Sequence, residues 1–210
     1  MNVKTIGILG AGKVGVVLAQ LALKAGYEVY IAGSGSVEKI ALTVKVLAPG
    51  AIAGTASEVA AKSDVVILAL PLGKFKRISK NELASKLVID AMNYWWEVDG
   101  PRDTIMPAEQ SSSEAVQAFL SDSRVVKALG HMGYHELHDG PKAPGEVGRK
   151  ALALAGNDHA DLQTVSEIVN NFGFDPLIIG DLKAGGVLEP GQPGFGANMS
   201  LHKLKEVINS

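Results

Sequence analysis

Three glycines near the start of the chain have the spacing of a phosphate-binding turn. The pattern G-x-G-x-x-G is filled by Gly10, Ala11, Gly12, Lys13, Val14 and Gly15. In such a turn the first glycine permits a tight bend, the second lets the backbone approach a pyrophosphate, and the third lets the helix pack on the strand. The N–H groups and the dipole of the following helix then meet the phosphate charge. The pattern predicts a dinucleotide-binding site; the alternative is an ordinary strand–helix turn.

The end of the second predicted strand indicates which dinucleotide is bound. NAD-specific sites place an acidic residue about 20 residues beyond the glycines, where it holds the ribose 2′-hydroxyl. This chain has no acid there and offers Ser34, Ser36 and Lys39 instead. Because hydroxyl and ammonium groups donate hydrogen bonds to a 2′-phosphate, NADP is predicted in preference to NAD. The alternative is that Ser36 caps the next helix and Lys39 is solvated.

Aromatic residues follow a later strand. Trp95 and Trp96 are the only tryptophans of the chain and, with Tyr94, they come after the strand predicted at 87–91. Open α/β sheets bind ligands at the carboxyl ends of their strands, and a flat isoalloxazine-like ring can stack on an indole. The three residues are therefore the predicted contacts of a planar acceptor. A hydrophobic clamp between domains or subunits is the equally weighted alternative.

Three histidines, His131, His135 and His138, follow the strand predicted at 125–129. Their spacing matches no standard zinc motif, so no metal site is predicted. Histidine titrates near neutrality, which makes His131 the candidate proton donor for a reduced acceptor. A polar loop histidine without a chemical role is the alternative. Hydride transfer itself needs no acid–base residue, since the cofactor carries the chemistry.

Apolar runs that alternate with helical patterns must position these residues. Strands are predicted at 5–9, 28–32, 51–53, 65–70, 87–91 and 125–129, with helices at about 37–47, 57–62 and 111–120 among them. Unbroken apolar strands that alternate with helices are typical of a parallel sheet buried on both faces. The predicted fold class is α/β: a doubly wound Rossmann sheet with a small C-terminal α/β extension.

The pattern changes after the sixth strand. Residues 134–148 contain Gly140, Pro141, Pro144 and Gly145 and are predicted to be a loop that joins two domains. Strands at 151–155 and 176–179 follow, with a helix at about 162–172 between them and a last helix at about 197–208. We therefore predict a Rossmann domain over residues 1–130 and a smaller part, residues 131–210, that completes the acceptor site.

Composition narrows the function classes. The 210 residues are 47% apolar and 20% charged with a net charge of −2, which gives no reason to expect nucleic acid or a membrane surface as partner. The absence of cysteine excludes disulfides and cysteine nucleophiles. No segment approaches the roughly 20 apolar residues that span a bilayer. Residues 1–4 show no signal peptide, so a cytoplasmic location is expected.

Several segments together resemble a known family. Residues 7–12, the strand end Ala32-Gly33-Ser34 and residues 64–71 are similar to the NADPH-dependent reductases of the deazaflavin coenzyme F-420. The cytoplasmic domain of six-transmembrane ferric reductases has the same pattern. Residues 125–128, 155–158, 172–174 and 179–182 also match, so the resemblance covers nearly the whole chain.

The resemblance implies a Rossmann domain, a homodimer, and hydride transfer between NADPH and a flavin-like acceptor. By position, the pyrophosphate contacts would be Gly10, Gly12, Lys13 and Val14, and the 2′-phosphate contacts Ser34 and Lys39. The ribose–nicotinamide end would be lined by Leu70, Pro71, Asn93 and Ala128. The chain departs from the family in having Gly35 where arginine is usual and Tyr94 where proline is usual.

These observations predict an NADPH-dependent oxidoreductase whose small-molecule acceptor is a deazaflavin, a flavin or a similar planar ring. A reductase of a small imine or ketone is the first alternative, because related Rossmann enzymes share the glycine turn. A dinucleotide-sensing protein without turnover is the second. A wide aromatic cleft beside Tyr94–Trp96 would favour a ring system, and a closed pocket would favour a small substrate.

Overall fold

The computed structural model of the chain describes residues 2–209. Residues 1 and 210, which the predicted domain bounds include, lie outside the described residues. Within residues 2–209, eight strands form one sheet in the order β3-β2-β1-β4-β5-β6-β7-β8. The strands are β1 Thr5–Leu9, β2 Glu28–Ala32, β3 Ile52–Ala53, β4 Val65–Leu68, β5 Leu87–Asp90, β6 Arg124–Lys127, β7 Ala151–Gly156 and β8 Asp175–Ile178. The predicted Rossmann-like α/β fold is confirmed.

Helices cover both faces of this sheet. They are α1 Lys13–Lys24, α2 Glu38–Leu47, α3 Ala56–Lys62, α4 Lys80–Leu83, α5 Trp96–Asp99, α6 Ser112–Phe119, α7 Tyr134–Asp139, α8 His159–Asn171 and α9 Leu201–Ile208. Shorter 3₁₀ helices span Leu72–Arg77, Arg102–Thr104 and Ala184–Leu188. Among residues 2–209, none of these helices has the length and hydropathy needed to cross a membrane.

Alternation along the strands divides the core into two layers. In β4, Val65 and Ile67 pack with α1 and α8 on one face, whereas Val66 and Leu68 pack with α3 and α6 on the other. All four side chains are fully buried. Because both faces of the strand contact apolar layers, every residue of β4 is apolar. The β4 prediction was two residues too long, since Ala69 and Leu70 leave the sheet to line the site described below.

One prediction for the middle of the chain was wrong. The segment expected to be a loop begins with helix α7, which packs on α1 and buries Leu137 completely. A helix this short offers no repeated apolar spacing in the sequence. The strands β1 to β6 pair in parallel, as predicted, and β7 of the C-terminal part runs antiparallel to β6.

The β7 strand carries the C-terminal part past the end of the parallel sheet. Only Ala155 and Gly156, at its end, pair with β6, and they pair with Lys127 and Val126. The first four residues of β7 therefore extend beyond the carboxyl end of β6, and β8 follows them in parallel pairing. The C-terminal part thus lies beside the sheet edge at which open α/β folds bind ligands.

His131 holds this extension in place. Its Nε2 accepts a hydrogen bond of 2.9 Å from the Ala153 backbone N–H of β7, and its carbonyl accepts one of 2.7 Å from Gly196. The side chain is 1% exposed. Burial lowers the pKa of His131 to about 4, and the Lys127 charge adds to the shift. The nearby Gly194 carbonyl raises the pKa of His131 and so opposes part of this lowering. Its effect is small, because Nδ1 has no partner in hydrogen-bond geometry among the described residues.

The neutral, buried state of His131 makes stability depend on pH. Its folded-state pKa of about 4 is below its ordinary value of 6.5, so its contribution is complete above pH 6.5 and is lost as pH falls to 4. We expect the free energy of unfolding to fall by about 3 kcal/mol from this group alone. His131→Gln keeps an acceptor for Ala153 and should remove this pH dependence in urea unfolding between pH 7 and 4.

The matched control is His202→Gln, because the His202 side chain is 83% exposed. This variant should keep the steep pH dependence of the unaltered chain. Equal pH dependence in the unaltered chain and in His131→Gln would show that His131 is not held neutral by burial.

Candidate functional site

The three motif glycines have three different surroundings. Gly10 has φ +126°, and its N–H donates a 2.8 Å hydrogen bond to the Ala32 carbonyl of β2. A Cβ on Gly15 would lie 1.7 Å from the Gly10 carbonyl oxygen, whereas a Cβ on Gly12 would have no atom within 4 Å. Thus the first glycine makes the tight bend, the second faces open space, and the third lets α1 pack against the end of β1.

The N-terminus of α1 opens at this turn. Gly12 is the residue that precedes the helix and supplies no side-chain cap, and the first turn contains no acidic residue. The first N–H groups of a helix have no partner inside it, and they carry the positive end of the helix dipole. The turn therefore presents hydrogen-bond donors and partial positive charge, which suit an anionic group.

A cleft of about 740 Å³ extends from the turn. Its polar end is formed by the turn itself and by Ser34 and Lys39 beyond β2. Its walls are mostly apolar and include Ile40, Ile78 and Leu83. Such a cleft has the size of a small-molecule or cofactor site.

The cleft brings together only part of the predicted site. Its lining includes Gly10, Ala11, Gly12, Ser34, Lys39, Leu70 and Pro71. It does not include Lys13, Val14, Gly15, Ser36, Asn93, Ala128 and the aromatic segment Tyr94–Trp96.

Two of the predicted contacts have other neighbours. The Lys13 ammonium lies 3.3 Å from the Tyr134 hydroxyl of α7, so only its backbone borders the turn. The Glu38 backbone N–H and the Ser36 hydroxyl lower the pKa of the Glu38 carboxyl group. The residue that caps α2 is Val37, without a side-chain cap, so Ser36 does not cap this helix and its hydroxyl contacts the Glu38 carboxyl group instead.

Two cations of the cleft were missed in the sequence. Lys74 and Arg77 lie on the 3₁₀ helix that follows β4, and both line the cleft. The available signal was the segment Gly73-Lys74-Phe75-Lys76-Arg77, in which basic residues follow directly on a buried strand. In this fold the cations usually follow β2, and Lys39 is the cation that was predicted there.

A buried ion pair fixes the turn after β5. The Lys127 ammonium lies 3.9 Å from the Asp90 carboxylate, and the two side chains are 1% and 0% exposed. Lys127 also donates to the Met92 carbonyl, while Asp90 accepts from the Met92 N–H at 2.9 Å and from the Ser113 hydroxyl at 2.6 Å. Both backbone polar groups of Met92 are thus held, which sets the path of the chain toward Asn93.

Asn93 and Ala128 border the carboxyl ends of β5 and β6 without entering the cleft. The Asn93 amide donates a 2.5 Å hydrogen bond to the Gly130 carbonyl, and its Oδ1 is buried without a partner among residues 2–209. Ala128 is 1% exposed.

The tryptophans lie on an exposed surface next to this edge. Trp95 is 46% exposed and packs edge-to-face on Phe195 with ring centroids 5.6 Å apart, whereas Trp96 is 62% exposed. Asp99 accepts hydrogen bonds from the backbone N–H of Trp95 at 2.9 Å and of Gly73 at 2.8 Å. Asp99 therefore ties the aromatic segment to the start of the 3₁₀ helix whose later residues line the cleft.

The histidines do not form a reactive group. His131 is in the core, so the structure does not support the predicted proton-donor role. His135 packs against the Tyr134 ring, and His138 lies 3.1 Å from the Gln20 amide. Within residues 2–209, no cluster of three or more His, Asp or Glu side chains is placed to hold a metal ion.

The sequence and the fold were compared with known proteins. Residues 5–94 match the model of a family described as NADP oxidoreductase, coenzyme F420-dependent. No curated protein matches the sequence significantly. A solved structure of a hypothetical protein from Sinorhizobium meliloti has a TM-score of 0.80 and 25% identity, over 94% of this chain and 95% of that chain.

Two further structures show the shared fold. A candidate F420-dependent NADP-reductase from Arthrobacter sp. has a TM-score of 0.73 and 24% identity, over 86% of each chain. An imine reductase from Pseudomonas sp. has a TM-score of 0.62 and 18% identity, over 86% of this chain but only 56% of that chain.

The resemblance predicted from the sequence is confirmed over the matched segment. All residues that line the 740 Å³ cleft fall within residues 5–94. The family is one of NADP-dependent oxidoreductases. Over residues 5–94 this chain therefore matches the coenzyme F420-dependent NADP oxidoreductase family.

Proposed function

We propose that this chain is an NADPH-dependent oxidoreductase that transfers hydride between the nicotinamide and a planar acceptor, a deazaflavin or flavin. The observation that carries the proposal is the open space over Gly12 at the head of the cleft. A β-carbon at this position would fill the space that a pyrophosphate needs. Gly12 precedes α1 and adds no side chain over the first N–H groups of the helix, so its place there fits a phosphate-binding turn.

The residues of the cleft fit a dinucleotide in one orientation. The pyrophosphate would lie on the turn from Gly10 to Gly12 and on the backbone N–H groups of Lys13 and Val14. The adenosine would occupy the apolar walls next to Ile40. The nicotinamide end would then extend past Leu70 and Pro71 toward Asn93, where the buried Oδ1 has no partner among the described residues.

We propose that the nucleotide is NADP rather than NAD. The carboxyl end of β2 has no acidic residue, and both Ser34 and Lys39 are exposed on the cleft. An acid at this point would accept a hydrogen bond from a ribose hydroxyl and would repel a 2′-phosphate. A hydroxyl and an ammonium group favour the phosphate.

The bound cofactor supplies the hydride chemistry, and the protein orients the two reacting rings. In this chain the buried ion pair of Asp90 and Lys127 fixes the turn that ends at Asn93. The exposed indoles of Trp95 and Trp96 offer flat apolar faces next to this edge. We therefore infer that a planar acceptor stacks on this aromatic surface, which we define as Tyr94, Trp95 and Trp96.

A small imine or ketone remains the alternative substrate. Imine reductases are among the structural neighbours, but at 18% identity or less the likeness shows the fold alone. Their chains also extend well beyond the part that this chain matches. The open position of the indoles favours a ring system over a small substrate.

The activity assay follows the oxidation of NADPH in the presence of a deazaflavin, FMN or a cyclic imine. Oxidation that depends on the deazaflavin or FMN is expected. Oxidation with the imine only would support the alternative, and tight NADPH binding without turnover would indicate a sensor.

The division at residue 130, the homodimer and the cytoplasmic location stay predictions.

The first variant tests the turn. Gly12→Val should weaken NADPH binding at least tenfold, about 1.4 kcal/mol, because the added side chain occupies the phosphate position. Its thermal stability should not change much, since Gly12 has φ −82° and open space around it. NADPH titration and thermal unfolding measure both effects.

The matched control is Gly186→Ala in the 3₁₀ helix Ala184–Leu188, where a Cβ meets only ordinary contact at 3.7 Å. It should keep full NADPH affinity. A folded Gly12→Val variant with unchanged affinity would remove the turn from the binding site.

The second variant tests the aromatic surface. Trp96→Ala should raise the KM for the acceptor roughly tenfold, because aromatic stacking on a flat ring contributes about 1–3 kcal/mol. The affinity for NADPH and the melting temperature should hardly change, since the indole is 62% exposed. Steady-state kinetics with the deazaflavin or FMN give the KM.

Val98→Ala on the same helix is the control, because Val98 is 64% exposed but has no ring. It should leave the KM for the acceptor unchanged. A lowered melting temperature in Trp96→Ala without a selective rise in the KM for the acceptor would favour the alternative, in which the tryptophans form a hydrophobic clamp between domains or subunits.

A further inference from the structure

Backbone conformation explains why the arginine usual after Ser34 is absent. Gly35 has φ +101°, a conformation that costs little only for glycine. A Cβ on Gly35 would lie 3.3 Å from the Lys39 ammonium nitrogen and 3.5 Å from its Cδ. The side chain of Lys39 thus lies over Gly35, and an arginine at position 35 would have a strained backbone.

The segment after β4 brings other cations to the cleft. The 3₁₀ helix Leu72–Arg77 is anchored by Leu72 and Phe75, which are 0% and 2% exposed. Lys74 and Arg77 are three residues apart, and in a 3₁₀ helix side chains with this spacing lie on the same face. Both line the cleft that Ser34 and Lys39 also line.

These cations are not neutralised by the protein. Among residues 2–209, neither Lys39, Lys74 nor Arg77 makes an ion pair. The acidic residue that lines the cleft is Glu82, and its carboxylate accepts a 2.5 Å hydrogen bond from the Ser57 hydroxyl. The cleft therefore holds three cations against one carboxylate, which favours a ligand with more negative charge than a pyrophosphate alone.

We propose that Lys74 and Arg77 bind the 2′-phosphate of NADPH from the β4 side of the cleft, facing Ser34 and Lys39 on the β2 side. This inference rests on the proposed function, and it names the residues that select the cofactor. The Arg77 guanidinium supplies the bidentate donor geometry that an ammonium group lacks. In this chain the segment after β4 thus supplies the guanidinium group for the 2′-phosphate, which an arginine after β2 usually supplies.

The test compares ligands that differ by the 2′-phosphate. The full chain is titrated with NADPH and NADH, and with 2′,5′-ADP and 5′-AMP. The variants are Arg77→Ala, Arg77→Lys and Lys74→Ala. The matched control is Lys76→Ala, because Lys76 belongs to the same 3₁₀ helix but lies over the Phe75 ring and does not line the cleft.

Arg77→Ala should weaken NADPH and 2′,5′-ADP about tenfold to a hundredfold, which is the usual range for a hydrogen bond to a charged group. It should leave NADH and 5′-AMP within about twofold. Arg77→Lys should recover part of the loss, Lys74→Ala should show a smaller selective loss, and Lys76→Ala should show none.

Equal losses for NADPH and NADH in Arg77→Ala would overturn the inference, because they would place Arg77 on the part that the two ligands share. Unchanged NADPH affinity would overturn it as well. An unaltered chain that binds NADH as tightly as NADPH would refute the 2′-phosphate site but leave dinucleotide binding intact. A chain that binds neither would refute the proposed function itself.

Discussion

The site depends on how closely α1 approaches the end of β1. At Gly15 the helix lies so near the strand that a Cβ would come within 1.7 Å of the Gly10 carbonyl oxygen. This approach places the N-terminus of α1 at the carboxyl edge of the sheet, with Gly12 facing open space. The parallel pairing of β1 with β2 and β4 then brings Ser34 and the segment after β4 to the same edge. A larger residue at Gly15 would move the helix and dismantle the cleft.

Local signals were enough to predict the glycine turn and the two strands beside it. The glycine spacing and the apolar runs of β1 and β2 act within a few residues, and each lies where predicted. The extension after β6 depends on contacts that the sequence does not display. From the sequence, His131 has the pattern of a histidine in a polar loop. In the structure its side chain accepts a hydrogen bond from the Ala153 backbone N–H of β7. The cations Lys74 and Arg77 were missed for the same reason. They line the cleft because the 3₁₀ helix after β4 packs beside it, and no sequence motif marks this contact.

The two halves of the site differ in how firmly they are built. The glycine turn proposed to bind the pyrophosphate is fixed by backbone contacts around Gly10, and the buried pair of Asp90 and Lys127 fixes the turn after β5. The surface proposed for the acceptor consists of exposed indoles, with Trp95 packed on Phe195 from the C-terminal part. A rigid glycine turn next to a more open aromatic surface suits the proposed function, in which a bound dinucleotide meets an exchangeable planar acceptor.

A crystal structure of the chain with NADP⁺ tests the central claim most directly. We expect the pyrophosphate oxygens to lie at hydrogen-bond distance, about 2.7–3.2 Å, from backbone N–H groups at Gly12 and the first turn of α1. The adenosine should point toward Ser34 and the nicotinamide toward Asn93. A dinucleotide bound away from the glycine turn, or bound there with its two ends exchanged, would contradict the assignment of the cleft.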